Sequence, residues 1–328
     1  MTASPAADHV TRARKRFRLE GYGMLAFSYV VMGSIGALVM WAPAPESMLL
    51  VLRMGFGAVV MLLLFARPRL LAELRKPGVL RLVLIMAVFD SAALLLFFMS
   101  MRNTTVAIGM FLIFMSPIWV ALLAPRLIGQ RTDWVVWPSL VLAMGGLAFI
   151  LTPSLIGIEI EISLLGVVYG LLGGMCLAVF MIIVSALRKK GVSSSTVVTC
   201  ELTLDTIILL PLAIVQTWVV GQGLVGRDLI SGAILGIVCT AFSYTLWTEG
   251  VGRVPVQHVP ILGYLEPLTA PLYALVLVGE RPSVWAMLGG VLILAAGGLV
   301  VWRGEREVED EEEDEPAAGV VGGAGAPG

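Results

Sequence analysis

The sequence is poor in charged residues, in histidine and in paired cysteine. Only 14% of its 328 residues are charged, whereas 58% are hydrophobic and the mean hydropathy is +0.94. Soluble proteins carry roughly a quarter of charged residues. A chain with so little charge cannot cover its apolar residues with a polar surface, which excludes an ordinary soluble domain. We therefore expect the lipid bilayer to be its solvent.

Enzymatic chemistry also has little support. The chain has two histidines, His9 and His258, and no acid-rich metal motif, so we predict no metal site. A G-x-G-x-x-G match at residues 221–226 lies between two apolar runs, with no strand before it. The cysteines lie inside apolar runs without paired spacing and are interpreted as small buried residues; they are Cys176, Cys200 and Cys239. We expect no cofactor and no enzyme.

What the chain does have is ten long apolar runs. Each is long enough to cross a hydrocarbon core of roughly 30 Å as a helix. A backbone in hydrocarbon must satisfy its own hydrogen bonds, so each run predicts a membrane helix. A cleaved signal peptide is the alternative for the first run, which is longer than such a signal and is followed by nine similar runs. The runs cover residues 21–41, 47–66, 79–100, 105–125, 134–152, 163–187, 196–219, 229–249, 255–277 and 284–302.

Lysine and arginine are distributed unevenly between the connecting segments. With the amino terminus inside, 18 of the 22 lie in cytoplasmic segments and three lie in external ones. Positive residues favour the cytoplasmic side, so both termini are predicted to be inside. Residues 1–20 form a basic cytoplasmic arm. Residues 304–328 are acidic and then rich in Gly, Ala and Pro, which predicts a disordered tail.

The second half of the chain repeats features of the first at an offset of 150 residues. The matching pairs are Pro117 and Pro267, Gly129 and Gly279, Arg131 and Arg281, Leu122 and Leu272, Ala124 and Ala274, and Leu127 and Leu277. The offset divides the chain into two repeats of five helices, residues 21–152 and 163–303. Because five is odd, the second repeat enters the membrane inverted. Inverted repeats are an architecture of secondary transporters, with the site near the midplane between them.

This arrangement resembles the EamA-type proteins of the drug/metabolite transporter superfamily. The resemblance covers roughly residues 21–303 and is carried by Arg53, by Pro117 with Gly129 and Arg131, by Leu265-Glu266-Pro267 with Gly279-Glu280-Arg281, and by Gly145-Gly146, Gly289-Gly290 and Gly297-Gly298. Gln130 stands where the second repeat has Glu280, and Asp90 has Thr240 as its counterpart. The resemblance implies an all-α membrane protein with ten helices that exports or takes up small metabolites without ATP.

Four acids lie inside predicted helices, at Asp90, Glu201, Asp205 and Glu266. Asp90, Asp205 and Glu266 fall at one depth near the midplane. A charge there costs about 2.5–3.5 kcal/mol on insertion scales, so such residues mark ion or substrate pathways; the alternative is protonated acids that hold helices together. Arg53 is the only basic residue at such depth, and it either binds a substrate carboxylate or neutralises an acid. We predict that these five residues bind substrate or protons.

Two prolines and several aromatic residues complete the candidate site. Pro117 and Pro267 each free a backbone carbonyl, which is tolerated best on the wall of a cavity; a packing kink is the alternative. The aromatic candidates for a cavity wall, which also suit simple packing, are Tyr264, Tyr244, Trp247 and Trp119. Gly166, Gly170 and Gly174 form a double G-x-x-x-G pattern, which indicates close helix packing within the chain and is also compatible with a homodimer.

We therefore expect a secondary transporter, more specifically an exporter, of small organic metabolites or drugs, with proton coupling or passive movement down the substrate gradient. Its expected partners are a small-molecule solute and the lipid bilayer, with no nucleic acid. Two alternatives come from other classes. One is a membrane-embedded transferase that acts on a lipid-linked substrate, and the other is a non-transporting membrane scaffold whose acidic tail is the working part.

Overall fold

The computed structural model of the chain is built of helices joined by short turns. It describes residues 5–35, 38, 46–65, 68–104, 106–155, 163–220, 225–278 and 284–319, and no strand occurs among them. The helices are α1 (Pro5–Met32), α2 (Glu46–Phe65), α3 (Pro68–Leu74), α4 (Val79–Asn103), α5 (Val106–Ile113), α6 (Ser116–Ile128), α7 (Val136–Leu155), α8 (Leu164–Lys189), α9 (Ser194–Val220), α10 (Gly226–Val251), α11 (Val259–Leu262), α12 (Leu265–Val278) and α13 (Val284–Gly319). This all-α architecture is what an apolar chain requires in hydrocarbon.

Seven continuous stretches in the described part of the chain are long and apolar enough to cross a membrane. They correspond to α2, α4, α5 with α6, α8, α9, α10 and the first part of α13. The other three predicted runs correspond to α1, α7 and the interrupted pair α11–α12. Basic residues lower the hydropathy of α1, and the apolar part of α7 is short. Length and composition alone therefore identify seven spans rather than ten.

Both terminal helices extend beyond the predicted membrane runs. α1 begins at Pro5, inside the segment predicted to be a cytoplasmic arm, and α13 continues to Gly319. The structure thus differs from the prediction of a disordered tail at residues 304–319. Ala, Arg, Lys and Glu all have high helix propensity, so a helix that has started in apolar sequence can continue through them. The segment Gly279-Glu280-Arg281, which contributes to the resemblance, lies outside the described residues.

The two halves of the chain pack through matching pairs of helices. The contact of α4 with α8 has its counterpart in the contact of α10 with α1. In the same way, the contact of α9 with α4 corresponds to the contact of α2 with α10. Two further pairs, α2 with α9 and α7 with α13, join helices that occupy the same place in each half. In the second of these pairs Gly146 faces Ile293, and Gly289 faces both Gly146 and Ile150, so the helices run antiparallel. Equivalent helices of the two halves therefore run in opposite directions where they meet.

The double G-x-x-x-G pattern packs within the chain. A side chain at Gly166 would collide with the end of α4 at Asn103, and one at Gly170 would collide with Ser100. At Gly174 an added Cβ would lie 3.1 Å from the backbone oxygen of Leu112 in α5. Small residues allow this close approach of helix backbones. The interpretation of the pattern as intramolecular packing is therefore confirmed.

Two helices are interrupted midway, next to Pro117 and Pro267. α5 gives way to α6, and α11 to α12, through two-residue turns. Proline has no N–H to donate and its ring blocks the preceding turn, which explains why the helical hydrogen bonds stop here. The Tyr264 hydroxyl donates to the carbonyl oxygen of Phe114 at 2.5 Å, and the two rings lie 5.5 Å apart. The two breaks therefore lie against each other.

Candidate functional site

A cavity of about 440 Å³ lies among α1, α2, α4, α5, α6, α8, α10, α11 and α12, and so receives residues from both halves. Its wall is largely apolar and aromatic. The charged residues on the wall are Arg53, Asp90 and Glu266. Cavities of roughly 300–1,000 Å³ with an apolar wall and a few polar groups are typical of small-molecule sites. This cavity is therefore the candidate functional site.

Arg53 is held by hydroxyl groups of α10. Its Nε donates to the Thr240 hydroxyl at 2.6 Å, and a terminal nitrogen donates to the Tyr244 hydroxyl at 3.1 Å. Its guanidinium also lies over the Tyr244 ring, 5.6 Å from the centroid, which is a cation–π distance. Thr240 in turn donates to the Leu235 carbonyl within a π-helical segment, Leu235–Phe242. Because neutral groups position Arg53, its positive charge remains available to the cavity.

The predicted acids occupy two environments. Asp90 and Glu266 line the cavity. Glu201 and Asp205 lie behind Asp90, and one oxygen from each of these three carboxylates lies within 4.8 Å of the others. Ser91 donates to Asp205 at 2.7 Å. From the sequence we predict no metal site, because the chain has two histidines and no acid-rich motif. α4 and α9 lie far apart along the chain, and the fold brings their carboxylates together.

The first turns of α6 and α12 both reach the cavity. Ser116 begins α6, and Glu266 lies in the first turn of α12, at the position 150 residues later. Helix N-termini carry a partial positive charge. The end of α1 packs closely here, since a Cβ at Gly33 would lie 2.8 Å from the Glu266 carbonyl oxygen and closer still to Thr269. The end of α1 therefore packs directly against the break between α11 and α12.

The structure divides the predicted aromatic wall. Tyr244 and Trp247 line the cavity, whereas Tyr264 and Trp119 are not among the lining residues. Tyr264 turns toward the break in α5–α6, and Trp119 packs against the core. Aromatic lining residues that the sequence analysis missed are Tyr29, Phe97, Phe98, Phe114 and Phe180. No sequence signal separates them from lipid-facing aromatics. Ser116 also lines the cavity and was missed, although the 150-residue offset from Glu266 identifies it.

A network of ion pairs joins the bundle at the end where α1 begins and α8 and α10 end. Arg188 of α8 contacts Glu249 of α10 at 2.6 Å. Arg253 contacts Glu249 at 3.3 Å and Glu20 of α1 at 2.9 Å. Ser194 of α9 also donates to Glu249. We call this region, defined by Glu20, Arg188, Glu249 and Arg253, the ion-paired end.

α3 is attached to the ion-paired end by Glu73. One of its carboxylate oxygens accepts hydrogen bonds from the backbone N–H and hydroxyl of Ser193, at 2.9 and 2.8 Å, and the other accepts from Arg69 at 3.0 Å. Burial by itself raises the pKa of Glu73, but these hydrogen bonds outweigh it and lower the pKa to about 2. Nearby, Lys76 donates to the Gly191 carbonyl at 3.0 Å. The turns after α2 and α8 are thereby joined.

The turns after α6 and α10 meet at the same end. The Gln257 amide donates to the carbonyl oxygens of Gln130 and Arg131, both at 3.0 Å. Arg303 of α13 contacts Asp133, just before α7, at 2.8 Å. The connections after α2, α6, α8 and α10 therefore gather with the beginning of α1 and residue 303 of α13.

The two halves of the sequence match one family separately. Residues 19–152 and residues 164–302 each match the EamA-like transporter family. The chain belongs to the EamA-like transporter family. The resemblance inferred from its residues is thereby confirmed, and the protein is an integral, multi-pass membrane transporter rather than an enzyme. Its partners are a small-molecule solute and membrane lipid.

Individual relatives agree with the family. An uncharacterized transporter of Archaeoglobus fulgidus is 30% identical over 293 residues, which are 88% of this chain and 98% of the relative. The threonine/homoserine exporter RhtA of Escherichia coli strain K12 is 26% identical over 265 residues, 79% of this chain and 83% of the relative. A protein crystal structure with 17% identity covers 89% of this chain and 99% of that chain with a TM-score of 0.69, which shows a shared fold.

Proposed function

We propose that this protein is a secondary transporter that exports small zwitterionic metabolites of the amino-acid type. The observation that carries the proposal is the presence of Arg53, Asp90 and Glu266 on the wall of one 440 Å³ cavity. Charged groups inside a membrane are costly and mark solute or ion pathways. A zwitterion offers a carboxylate to Arg53 and an ammonium group to the acids, so its binding neutralises both signs.

The broken helices support the same class of solute. In transporters, the positive N-terminal ends of interrupted helices receive anionic groups of the substrate. The first turn of α6 carries the neutral Ser116 and suits a carboxylate, together with Arg53. The first turn of α12 carries Glu266 and suits an ammonium group instead. The aromatic wall between them then accommodates a short, mostly apolar side chain.

A ten-helix, 5+5 inverted repeat is the topology that we propose for the transporter. Equivalent helices run antiparallel where they meet, as inversion requires. The connections after α2, α6, α8 and α10 gather at the ion-paired end with α1 and residue 303 of α13. This is expected when the chain crosses the membrane an even number of times between its two termini. That end is rich in Lys and Arg, so we assign it to the cytoplasm together with both termini. Labelling, from outside intact cells, of cysteines introduced into the segment 67–81 would contradict this assignment.

Transport requires the cavity to open alternately to the two sides. In α1, Glu20 belongs to the ion-paired end, and the cavity residues Tyr29 and Met32 follow it by more than two helical turns. The cavity therefore lies in the half of the bundle away from the ion-paired end. The structure thus supports a state closed toward the cytoplasm. Asp90 and Glu266 are the candidates to exchange protons as the solute moves. The export direction is supported by the name of the relative RhtA, a threonine/homoserine exporter.

Counterflow in proteoliposomes tests this function. Purified protein is reconstituted, loaded with unlabelled threonine, homoserine or other amino acids, and assayed for uptake of the labelled solute with and without a pH gradient. We expect counterflow of at least one zwitterion, its loss in Arg53→Leu, and partial retention in Arg53→Lys, which keeps the charge. Transport confined to solutes without a carboxylate, or unchanged in Arg53→Leu, would refute the zwitterion proposal. No transport of any solute would favour a scaffold.

A further inference from the structure

Three buried carboxylates meet where α4 packs against α9. Asp90 belongs to α4, and Glu201 and Asp205 lie one turn apart on α9. One oxygen from each lies within 4.8 Å of an oxygen from each of the others, and none of the three residues is more than 6% exposed. Glu201 and Asp205 do not line the cavity. We call these three residues the acidic cluster; Asp90 is the member that also lines the cavity.

Several oxygens of the acidic cluster have no hydrogen-bond donor among the described residues. Both carboxylate oxygens of Glu201 and the Oδ2 of Asp205 are buried and accept no hydrogen bond. Ser91 donates only to the other oxygen of Asp205. The donors of Arg53 that form hydrogen bonds go to Thr240 and Tyr244. An ionised carboxylate buried without a partner is strongly unfavourable, so the fully buried Glu201 must either keep a proton or bind a cation.

We propose that the acidic cluster binds one hard metal cation of the size of Na⁺ or Ca²⁺. Three points within 4.8 Å of one another share a centre no more than about 2.8 Å from each, and oxygen ligands hold Ca²⁺ at roughly 2.3–2.6 Å. The donors are all oxygens, which hard cations prefer and softer transition metals do not. Mg²⁺ fits less well, because it demands near-ideal octahedral geometry with oxygens at roughly 2.0–2.1 Å.

Charge balance and access both fit such a cation. The ionised cluster carries three negative charges, and Arg53 is the positive charge that acts on Asp90 and Glu201. One Ca²⁺ together with Arg53 balances the three, and Na⁺ does so when one carboxylate keeps a proton. Asp90 belongs to both the cluster and the cavity wall, which provides a route of entry. The cation site shares Asp90 and the charge of Arg53 with the proposed solute site, but binding of the metal alone can be measured whatever the solute or direction.

Direct binding of the metals alone tests the proposal. The purified full chain in detergent micelles is titrated with radioactive Na⁺ or radioactive Ca²⁺ at neutral pH, with choline chloride keeping the ionic strength constant. We expect saturable binding of one ion per chain for one of the two metals. Glu201→Gln keeps the size of the side chain but removes a charged ligand, so its affinity should fall at least tenfold. Asp205→Asn serves as a second variant with the same expected loss.

Glu266→Gln is the matched control, because it removes a half-buried carboxylate that lies on the cavity wall but outside the acidic cluster. It should bind the cation with unchanged stoichiometry. The helical circular dichroism and gel-filtration profile of each variant separate lost ligands from misfolding. Absence of saturable binding of either metal to the wild-type chain overturns the proposal. Binding to Glu201→Gln and Asp205→Asn with wild-type affinity overturns it as well, whatever the transport assay shows.

Discussion

The same helix junction occurs twice in this molecule, with opposite charge. Where α2 meets α10, Arg53 donates to Thr240; where α9 meets α4, Glu201 and Asp205 face Asp90. α2 and α9 hold equivalent places in the two repeats, as do α10 and α4, and Asp90 stands 150 residues before Thr240. One backbone arrangement therefore carries a single positive charge at one junction and three acids at the other.

The difference shows what duplication preserves and what it leaves free to change. Helix packing is common to both junctions, since it depends on backbone approach and apolar contact. The polar side chains differ, and so do the helix breaks, where Ser116 in the first repeat corresponds to Glu266 in the second. A cavity between two such unequal halves therefore carries different charges on its two sides. For this reason we expect the zwitterion that we propose as the solute to have one preferred orientation, which a symmetric cavity would not impose.

The largest effect is expected at the acids of the cavity wall. Glu266→Gln removes the charge that distinguishes the second helix break from the first, and Asp90→Asn removes the other acid on the wall. We expect each to abolish most transport, lowering its rate about tenfold to 100-fold, or to uncouple it from the pH gradient. The size follows because a hydrogen bond to a charged group contributes about 1.5–3 kcal/mol. Proteoliposome uptake with and without a pH gradient measures this.

Ser116→Ala is the matched control for Glu266→Gln, since the two residues hold equivalent positions. The backbone N–H groups that α6 offers to a carboxylate remain in place, so we expect a loss of less than about threefold. Equal losses in Ser116→Ala and Glu266→Gln would mean that both breaks serve the solute in the same way. Wild-type rates with unchanged pH dependence in Glu266→Gln and Asp90→Asn would make these acids structural.

These expectations separate what the sequence predicts from what it does not. Hydropathy and the 150-residue offset predict the helical class, the interruptions at Pro117 and Pro267 and the depth of Glu266, because these are properties of single segments. The acidic cluster needs two helices that lie far apart along the chain, and only their packing brings Asp90 to Glu201. The ion-paired end was missed for a similar reason, since nothing in the sequence identifies the partners of a charged residue such as Glu249.

A smaller effect is expected when the positive junction is made more like the negative one. Thr240→Asp places a carboxylate at the oxygen that now accepts from Arg53 at 2.6 Å. The resulting ion pair would neutralise the charge that we assign to the solute carboxylate, so we expect the KM for zwitterions to rise about tenfold. Thr240→Ser, which keeps the hydroxyl, is the control. A KM for Thr240→Asp equal to that of the wild type would place the solute carboxylate elsewhere.

The next effect is on stability and concerns a contact between the repeats. Glu73 has a pKa of about 2 in the folded chain, against roughly 4.3 for an unperturbed glutamate. A lowered carboxyl pKa stabilises the fold above the unfolded value, and that stability is lost as the pH falls from about 4 toward 2. Glu73→Gln should therefore lower the unfolding free energy at neutral pH by at most about 3 kcal/mol.

Thermal unfolding in detergent at pH 6 and pH 3 measures the contribution of Glu73. The wild-type midpoint should fall more between these two pH values than the midpoint of Glu73→Gln, because only the wild type has this carboxylate to protonate. Other acids, such as Asp133 and Glu249, are common to both proteins and cancel in the difference. An identical fall in both proteins would show that the contacts with Ser193 and Arg69 do not stabilise the fold.

The smallest effect is expected from the acidic end of the chain, which lies outside both repeats. The family match ends at residue 302, and Arg303, which contacts Asp133, is retained when the chain is truncated after Gly304. α13 continues to Gly319, but its acidic part lies beyond the apolar window that can be buried in lipid. We therefore expect truncation to change the transport rate by less than about twofold, as measured in proteoliposomes with matched protein content. Loss of transport in a truncated protein that inserts and elutes normally would make the acidic segment a working part of the transporter, and the two repeats alone would then be insufficient.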